Sequence, residues 1–258
     1  MTASPAALET VGLRRSFGGV RATDGIGLRL ERGGRHALIG PNGAGKTTLI
    51  NLLAGAIRPS AGRVLLGGED VTGLRADERA RRGLARTFQV NQLFPAMTPL
   101  ETVALAVSRR LGRDRRWWRP LGGSPAVVDE AAGVLDRFGL AGAMDEPVSG
   151  LPYGRQRLLE IAVAIACRPR VLLLDEPAAG VPEAERDEIL AAVAALPGEV
   201  SVLLIEHDMD LVFRFADRIS VLVAGAVLTE GTAAEVANDP RVRAVYLGEG
   251  ADEHAAVA

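Results

Sequence analysis

The sequence predicts an α/β fold built on a largely parallel sheet. Three observations carry this. Apolar runs of four or five residues, closed by turns, alternate with longer segments whose apolar residues recur at helical spacing. Apolar residues make up 48% of the chain and aromatics only 4%, so the interior is mostly Ala, Val, Leu and Ile, which suits strands covered by helices on both faces. One apolar run, His36–Ile39, leads directly into the glycine-rich segment Gly40-Pro-Asn-Gly-Ala-Gly45-Lys46-Thr47.

Taken in order, Leu8–Val11 and Ile26–Leu30 are short apolar runs between turns, expected to be strands of an N-terminal sheet. His36–Ile39 is expected as a buried strand, and Thr47 to about Ala56 as a helix that packs Leu49, Ile50, Leu52 and Leu53. Arg63–Leu66 with Gly67-Gly68 reads as a strand and turn. A mostly helical middle follows, broken by a loop at Arg109–Pro125. There Val127, Ala131, Val134, Leu135 and Phe138 form one apolar face, and Leu158, Ile161, Ala162 and Ile165 another. Val171–Leu174 is a buried strand ending in Asp175-Glu176. A helix is expected over Glu183–Leu196, and a strand over Val202–Ile205, ending at Glu206-His207-Asp208. Ile219–Val223 and Ala226–Leu228 read as a strand pair around Gly225, and the small, polar tail Gly250–Ala258 is expected to fray. No internal repeat is visible.

At 258 residues the chain fits one large domain or two lobes sharing a core. A net charge of −2 argues against broad nucleic-acid affinity. The single Cys167 cannot form an intrachain disulfide and fits a reducing cytosol; lying in the apolar run Ile161–Cys167, it reads as a buried structural thiol. No apolar stretch approaches the ~20 residues that span a bilayer, and the N-terminus lacks a basic region followed by an apolar one. The chain is expected to be soluble and to reach a membrane only through partners.

The loop Gly40–Thr47 fully matches the phosphate-binding pattern. Its glycines (Gly40, Gly43, Gly45) let the loop's backbone N–H groups, such as those of Asn42 and Ala44 beyond Pro41, turn toward phosphate oxygens, and the following helix, starting near Thr47 and Thr48, adds its positive end. Lys46 is expected to bridge the β- and γ-phosphates of ATP, and the Thr47 hydroxyl to ligate Mg²⁺. Lys46 is the single lysine among 30 basic side chains. A compact ammonium on a flexible stem folds over a phosphate pair where a planar guanidinium would collide with the loop. Asp175-Glu176 is the second element. An apolar strand delivers two carboxylates at its C-terminal end, where α/β sheets bind ligands. Asp175 is expected to hold Mg²⁺ through water and Glu176 to act as general base.

In their order, these motifs resemble an ATP-binding cassette (ABC) ATPase over nearly the full chain. Gln89, in Arg86-Thr-Phe-Gln89, is similar to the family's glutamine loop, which senses Mg²⁺ and the γ-phosphate. Leu151-Pro-Tyr-Gly-Arg-Gln156 stands in the place of the signature sequence, so the resemblance implies nucleotide contacts at Leu151, Tyr153, Gly154 and Arg155. Asp175-Glu176 resembles Walker B with the catalytic glutamate, His207 the switch histidine, and Phe17 the aromatic stacked on adenine. Each has a plainer alternative: a surface amide at Gln89, a strand-end His207 bonded to Asp208, and a Phe17 that fills a gap in the small sheet. The resemblance implies a P-loop NTPase (RecA-like) core with a small N-terminal antiparallel β subdomain and an inserted helical subdomain. It implies one cassette over 6–250, with about 93–167 as the helical signature subdomain and about 6–92 and 168–250 as the catalytic core, before a disordered tail at 251–258.

Ala85-Arg-Thr-Phe-Gln89, Leu159-Glu-Ile161, Asp175-Glu-Pro-Ala-Ala-Gly180, Leu204-Ile-Glu-His-Asp-Met209 and Tyr246-Leu-Gly-Glu249 resemble the ATPase subunits of branched-chain amino-acid type importers. The implied partners are transmembrane permease subunits, a second copy or a homologous ATPase and, indirectly, a periplasmic solute-binding protein. The implied location is the cytoplasmic face of the inner membrane. The segment Leu93, Phe94, Pro95 and Met97 is expected to bear on the permease's coupling helix.

Two places depart from the family pattern. Pro152 stands where serine is usual and Arg155 where glutamine is usual, while Gly154 is retained. Gly180-Val-Pro-Glu183 lacks the usual aspartate. These changes leave nucleotide binding intact and bear on hydrolysis rate and coupling between sites. That leaves a slow regulatory subunit as one alternative and an exporter ATPase as another. The pair Trp117-Trp118 amid Arg109, Arg110, Arg113, Arg115, Arg116 and Arg119 reads either as an interfacial loop or as a solvated one.

Overall fold

A computed structural model of the chain describes residues 5–87, 93–112 and 124–245. The chain divides into two compact units. The first comprises 1–84, 170–176 and 198–258; the second comprises 85–169 and 177–197.

The first unit contains two sheets. In the smaller, β1 (Leu8–Phe17) pairs antiparallel with β2 (Val20–Leu30) and β4 (Ala61–Leu66), and β5 (Glu69–Asp70) extends β4. The strand runs expected at Leu8–Val11 and Ile26–Leu30 are therefore only the buried ends of much longer strands. The outer half of the hairpin, around Arg14–Arg21, is largely exposed, so no apolar alternation marked it.

The second sheet places its strands in the order β10 (Ala226–Gly231), β9 (Arg218–Val223), β3 (Arg35–Ile39), β8 (Ser201–Ile205), β7 (Val171–Asp175), with β6 (Leu84–Arg86) at the edge. From β9 to β7 the pairing is parallel; β10 closes the other edge antiparallel. Every residue of β7 and β8 is buried, as expected of strands covered on both faces.

Helix α1 (Lys46–Ala54) buries Leu49, Ile50, Leu52 and Leu53 in the same core as Leu38, Leu173 and Leu203, each worth about 1.5–3 kcal/mol of apolar burial. It stops earlier than expected because Gly55 takes a left-handed conformation, φ 77°. The fully buried Arg79 of α2 (Ala76–Arg81) closes that end. Its guanidinium donates at 2.7 Å to the Leu52 and Leu53 carbonyls and at 3.1 and 3.2 Å to those of Thr72 and Leu74. A cation facing a helix C-terminus complements its dipole. Burial lowers the Arg79 pKa from its ordinary value. Short helices α7 (Met209–Phe215) and α8 (Ala233–Asn238) complete this unit.

The second unit is helical: α3 (Pro99–Arg110), α4 (Pro125–Arg137), α5 (Tyr153–Ala166) and α6 (Glu183–Ala194). Thr98 and Glu101 form a capping box that starts α3. Glu130 of α4 joins Arg110 at 2.6 Å and Arg168 at 2.7 Å, while Arg110 also donates to the Ala166 carbonyl at the end of α5. Cys167 is exposed rather than buried, because α5 ends at Ala166 and leaves the cysteine as its C-cap.

Candidate functional site

The phosphate loop joins the C-terminal end of β3 to α1, and close backbone approaches dictate its shape. Gly40 has φ 152°, and a Cβ there would strike the Leu222 carbonyl oxygen. Gly45 has φ 102°, and a Cβ there would strike that of Ala22. Both obstacles are backbone atoms that cannot swing aside, so only glycine fits. Gly45 is also the N-cap of α1. No side chain accepts a hydrogen bond there, and the first turn holds no acidic residue. The helix therefore presents N–H donors and its positive end to the loop. Lys46 is buried, and its Nζ donates to the carbonyl oxygens of Gly40 and, at 3.0 Å, Pro41. Its ammonium thus lies folded over its own loop. Thr47 is exposed on the first turn and Thr48 half-buried.

A β-turn braces this loop from behind. Ala224 and Gly225, between β9 and β10, have φ 47° and 81°, the consecutive left-handed pair of a tight hairpin. The Gly225 N–H donates to the Ala44 carbonyl at 2.9 Å, and the Gly225 carbonyl accepts from the Asp24 N–H at 2.7 Å. Sequence reasoning located this turn but not its role, since nothing in it says which loop it meets.

Register brings the acidic residues to the same place. Leu38 of β3 and Asp175 of β7 both pair with Ile205 of β8, forming one row across the sheet. One or two residues beyond that row lie Gly40, Glu176 and His207. Asp175 is buried. Glu176 is held left-handed at φ 48°, a conformation that costs a non-glycine residue on the order of 1–3 kcal/mol and clusters at functional sites. Its N–H donates to the Ile205 carbonyl at 3.0 Å, and its Oε1 lies 2.7 Å from His207 Nε2. The alternative pairing of His207 with Asp208 is not seen; the Asp208 carboxylate accepts from the Leu211 N–H and caps α7.

Phe17 sits at the tip of the β1–β2 hairpin with its ring exposed, so it fills no gap in the sheet. The Arg15 guanidinium lies 4.6 Å from its centroid.

In the second unit, Leu151 is buried, whereas Pro152, Tyr153 and Arg155 are exposed. Pro152 lies just outside the first helical turn. It is the N-cap of α5 with ψ 150°, and it offers no side-chain cap. Gly154 is buried, and its N–H donates to Glu185 Oε2 of α6 at 3.0 Å. The Arg157 guanidinium lies 5.1 Å from the centre of the Tyr153 ring and pairs with Glu160 at 2.7 Å. Gln89, the tryptophan–arginine loop at 113–119, Tyr246-Leu-Gly-Glu249 and the tail at 251–258 lie outside the described residues.

A model of the ABC transporter family matches residues 23–179, more than half of the sequence. The chain belongs to the ABC transporter family. A second model, the branched-chain amino acid ATP-binding cassette transporter, matches residues 226–252 of this ABC cassette. The high-affinity branched-chain amino acid transport ATP-binding protein BraF of Pseudomonas aeruginosa is 41% identical, over 94% of this cassette and 98% of that protein. The corresponding LivG protein of Escherichia coli is 39% identical over 94% and 98%. Among solved structures, a nucleotide-free cassette of an ABC transporter is 29% identical with a TM-score of 0.82, covering 93% of this cassette and 98% of that chain. The ADP conformation of another ABC transporter cassette is also 29% identical, with a TM-score of 0.83 and coverage of 94% and 99%. This cassette thus has the P-loop NTPase fold and is an ATP-binding, ATP-hydrolysing transport subunit.

Proposed function

We propose that this cassette powers uptake of branched-chain amino acids or similar small solutes through separate transmembrane subunits, as the names of its relatives suggest. The observation that carries the proposal is the row of β3, β8 and β7 that contains Asp175, beyond which the phosphate loop, Glu176 and His207 follow. Lys46, the loop amides from Gly40 to Gly45, and the N-terminus of α1 with Thr47 and Thr48 would bind the phosphates of ATP. The residues present fit Mg²⁺. The Thr47 hydroxyl and the Asp175 carboxylate offer oxygen donors of the kind this ion prefers, with water and phosphate oxygens filling the other positions; Gln89, which lies outside the described residues, is proposed as a further ligand from the family resemblance. When bound, Mg²⁺ would neutralise charge on the phosphates.

Glu176 Oε1 would take the proton of the attacking water, and His207 Nε2 at 2.7 Å would orient that carboxylate. This pairing supports turnover over a purely regulatory role. Phe17 would stack on the base. The signature segment Leu151, Tyr153, Gly154 and Arg155 would face the nucleotide held by a second copy or a homologous ATPase, so that two nucleotides are sandwiched. Closure on ATP would pull on the permease.

Among the described residues no helix is long and apolar enough to cross a membrane. Docking to a permease at the cytoplasmic face would need an exposed apolar contact, and Phe94 supplies one at 57% exposure. Its neighbours Pro95 and Met97 are tied back by their carbonyls to the N–H groups of Ser149 and Val148. A solute-binding protein would deliver the solute to the permease from outside.

Glu176→Gln tests the proposal. Steady-state hydrolysis is expected to fall by at least about 100-fold, in line with loss of a general base, while MgATP binding persists. Hydrolysis near the original rate would remove Glu176 from its role.

A further inference from the structure

Helix α5 begins with its N-terminal donors at Tyr153 and Gly154. An N-cap serine or threonine normally accepts from the second or third of these N–H groups. Pro152 has no such side chain. The Gly154 donor is instead satisfied from another helix, by the Glu185 carboxylate at 3.0 Å. The fit is close. A Cβ at Gly154 would strike Glu185 Oε2 and lie 3.1 Å from Glu185 Cβ. Glu185 belongs to the first turn of α6, whose chain is held by its own N–H on the Pro182 carbonyl at 2.9 Å. A full negative charge therefore occupies the positive end of α5.

We propose that Glu185 is a built-in anion that competes with the nucleotide's terminal phosphate for the Gly154 N–H and so sets the ATP concentration at which two cassettes close. This rests on the reading that the signature segment faces a nucleotide held by the opposite subunit. A carboxylate and a phosphate cannot share one N–H, and they repel one another at the short distances involved. The carboxylate must swing away before the sandwich forms, and its displacement is part of the work that ATP binding does. Only the α5–α6 packing and the side chain at 185 are involved, so a single cassette's affinity for MgATP at its own phosphate loop is untouched.

The test uses the Glu176→Gln chain, alone and with any homologous cassette that co-purifies with it, followed by sedimentation against rising MgATP. Glu185→Gln keeps the shape and an acceptor but removes the charge; Glu185→Ala removes both. Loss of a charge-assisted bond is expected to lower the MgATP concentration at half-association about five- to tenfold in either variant. MgATP affinity measured at protein concentrations below association is expected to stay unchanged. If Glu185→Ala folds poorly, the Gln variant carries the test. Half-association that does not move, or moves upward, while melting temperature falls makes Glu185 a structural cap and overturns the proposal. No association of Glu176→Gln under any MgATP concentration overturns the sandwich reading first and this proposal with it.

Discussion

The phosphate loop and the signature segment are both N-terminal ends of helices, yet one keeps its family pattern and the other has drifted. The difference lies in what surrounds the backbone. At Gly40 and Gly45 the obstacles are the carbonyl oxygens of Leu222 in β9 and Ala22 in β2, both held in sheet strands. No neighbour can yield, so the residue types are forced. At the start of α5, Pro152, Tyr153 and Arg155 are exposed, and Gly154 is buried. There the pattern can change wherever no backbone stands in the way, and a side chain from α6 takes over the lost cap. Where a motif is held by backbone its letters persist; where it is held by side chains another side chain can substitute.

This contrast predicts a large effect at the loop. Gly45→Ala must displace the Ala22 carbonyl or distort the loop. It is expected to weaken MgATP binding by at least about 100-fold, because both steric and left-handed strain oppose it; fluorescence titration checks this. An alanine tolerated with near-native affinity would break the comparison at its stronger side.

A smaller effect is expected at the signature segment. Pro152→Ser supplies a hydroxyl but finds the Gly154 N–H already taken by Glu185 and gives up proline's fixed φ, so stability in urea unfolding should change by no more than about 1 kcal/mol. A loss of several kcal/mol would show that this segment is as tightly specified as the loop.

The legibility of the sequence follows the same division. The buried strands β3, β7 and β8 were readable because residues covered on both faces form unbroken apolar runs. The loop and Asp175-Glu176 were readable because each directly follows such a run. The outer half of the β1–β2 hairpin was not, since no residue between Leu13 and Thr23 is buried to mark an apolar alternation. Arg79 was invisible among neighbouring arginines at 75, 81 and 82, although it alone is buried to cap α1. Glu185 was equally hidden in the acidic run Glu183–Glu188, because its partner, the Gly154 N–H, lies 31 residues away and is found only once α5 and α6 pack. Cys167 reads as buried because it ends an apolar run, but the helix stops one residue earlier, at Ala166, and leaves it as an exposed C-cap.

Binding of the nucleotide's phosphates at Lys46 is tested most directly by calorimetric titration of MgATP into the intact chain and into Lys46→Ala. The expected result is saturable heat in the intact chain and an affinity lowered by at least about 100-fold in the variant, the scale of losing charged hydrogen bonds to phosphate. Equal heats and equal affinities in the two proteins would contradict it.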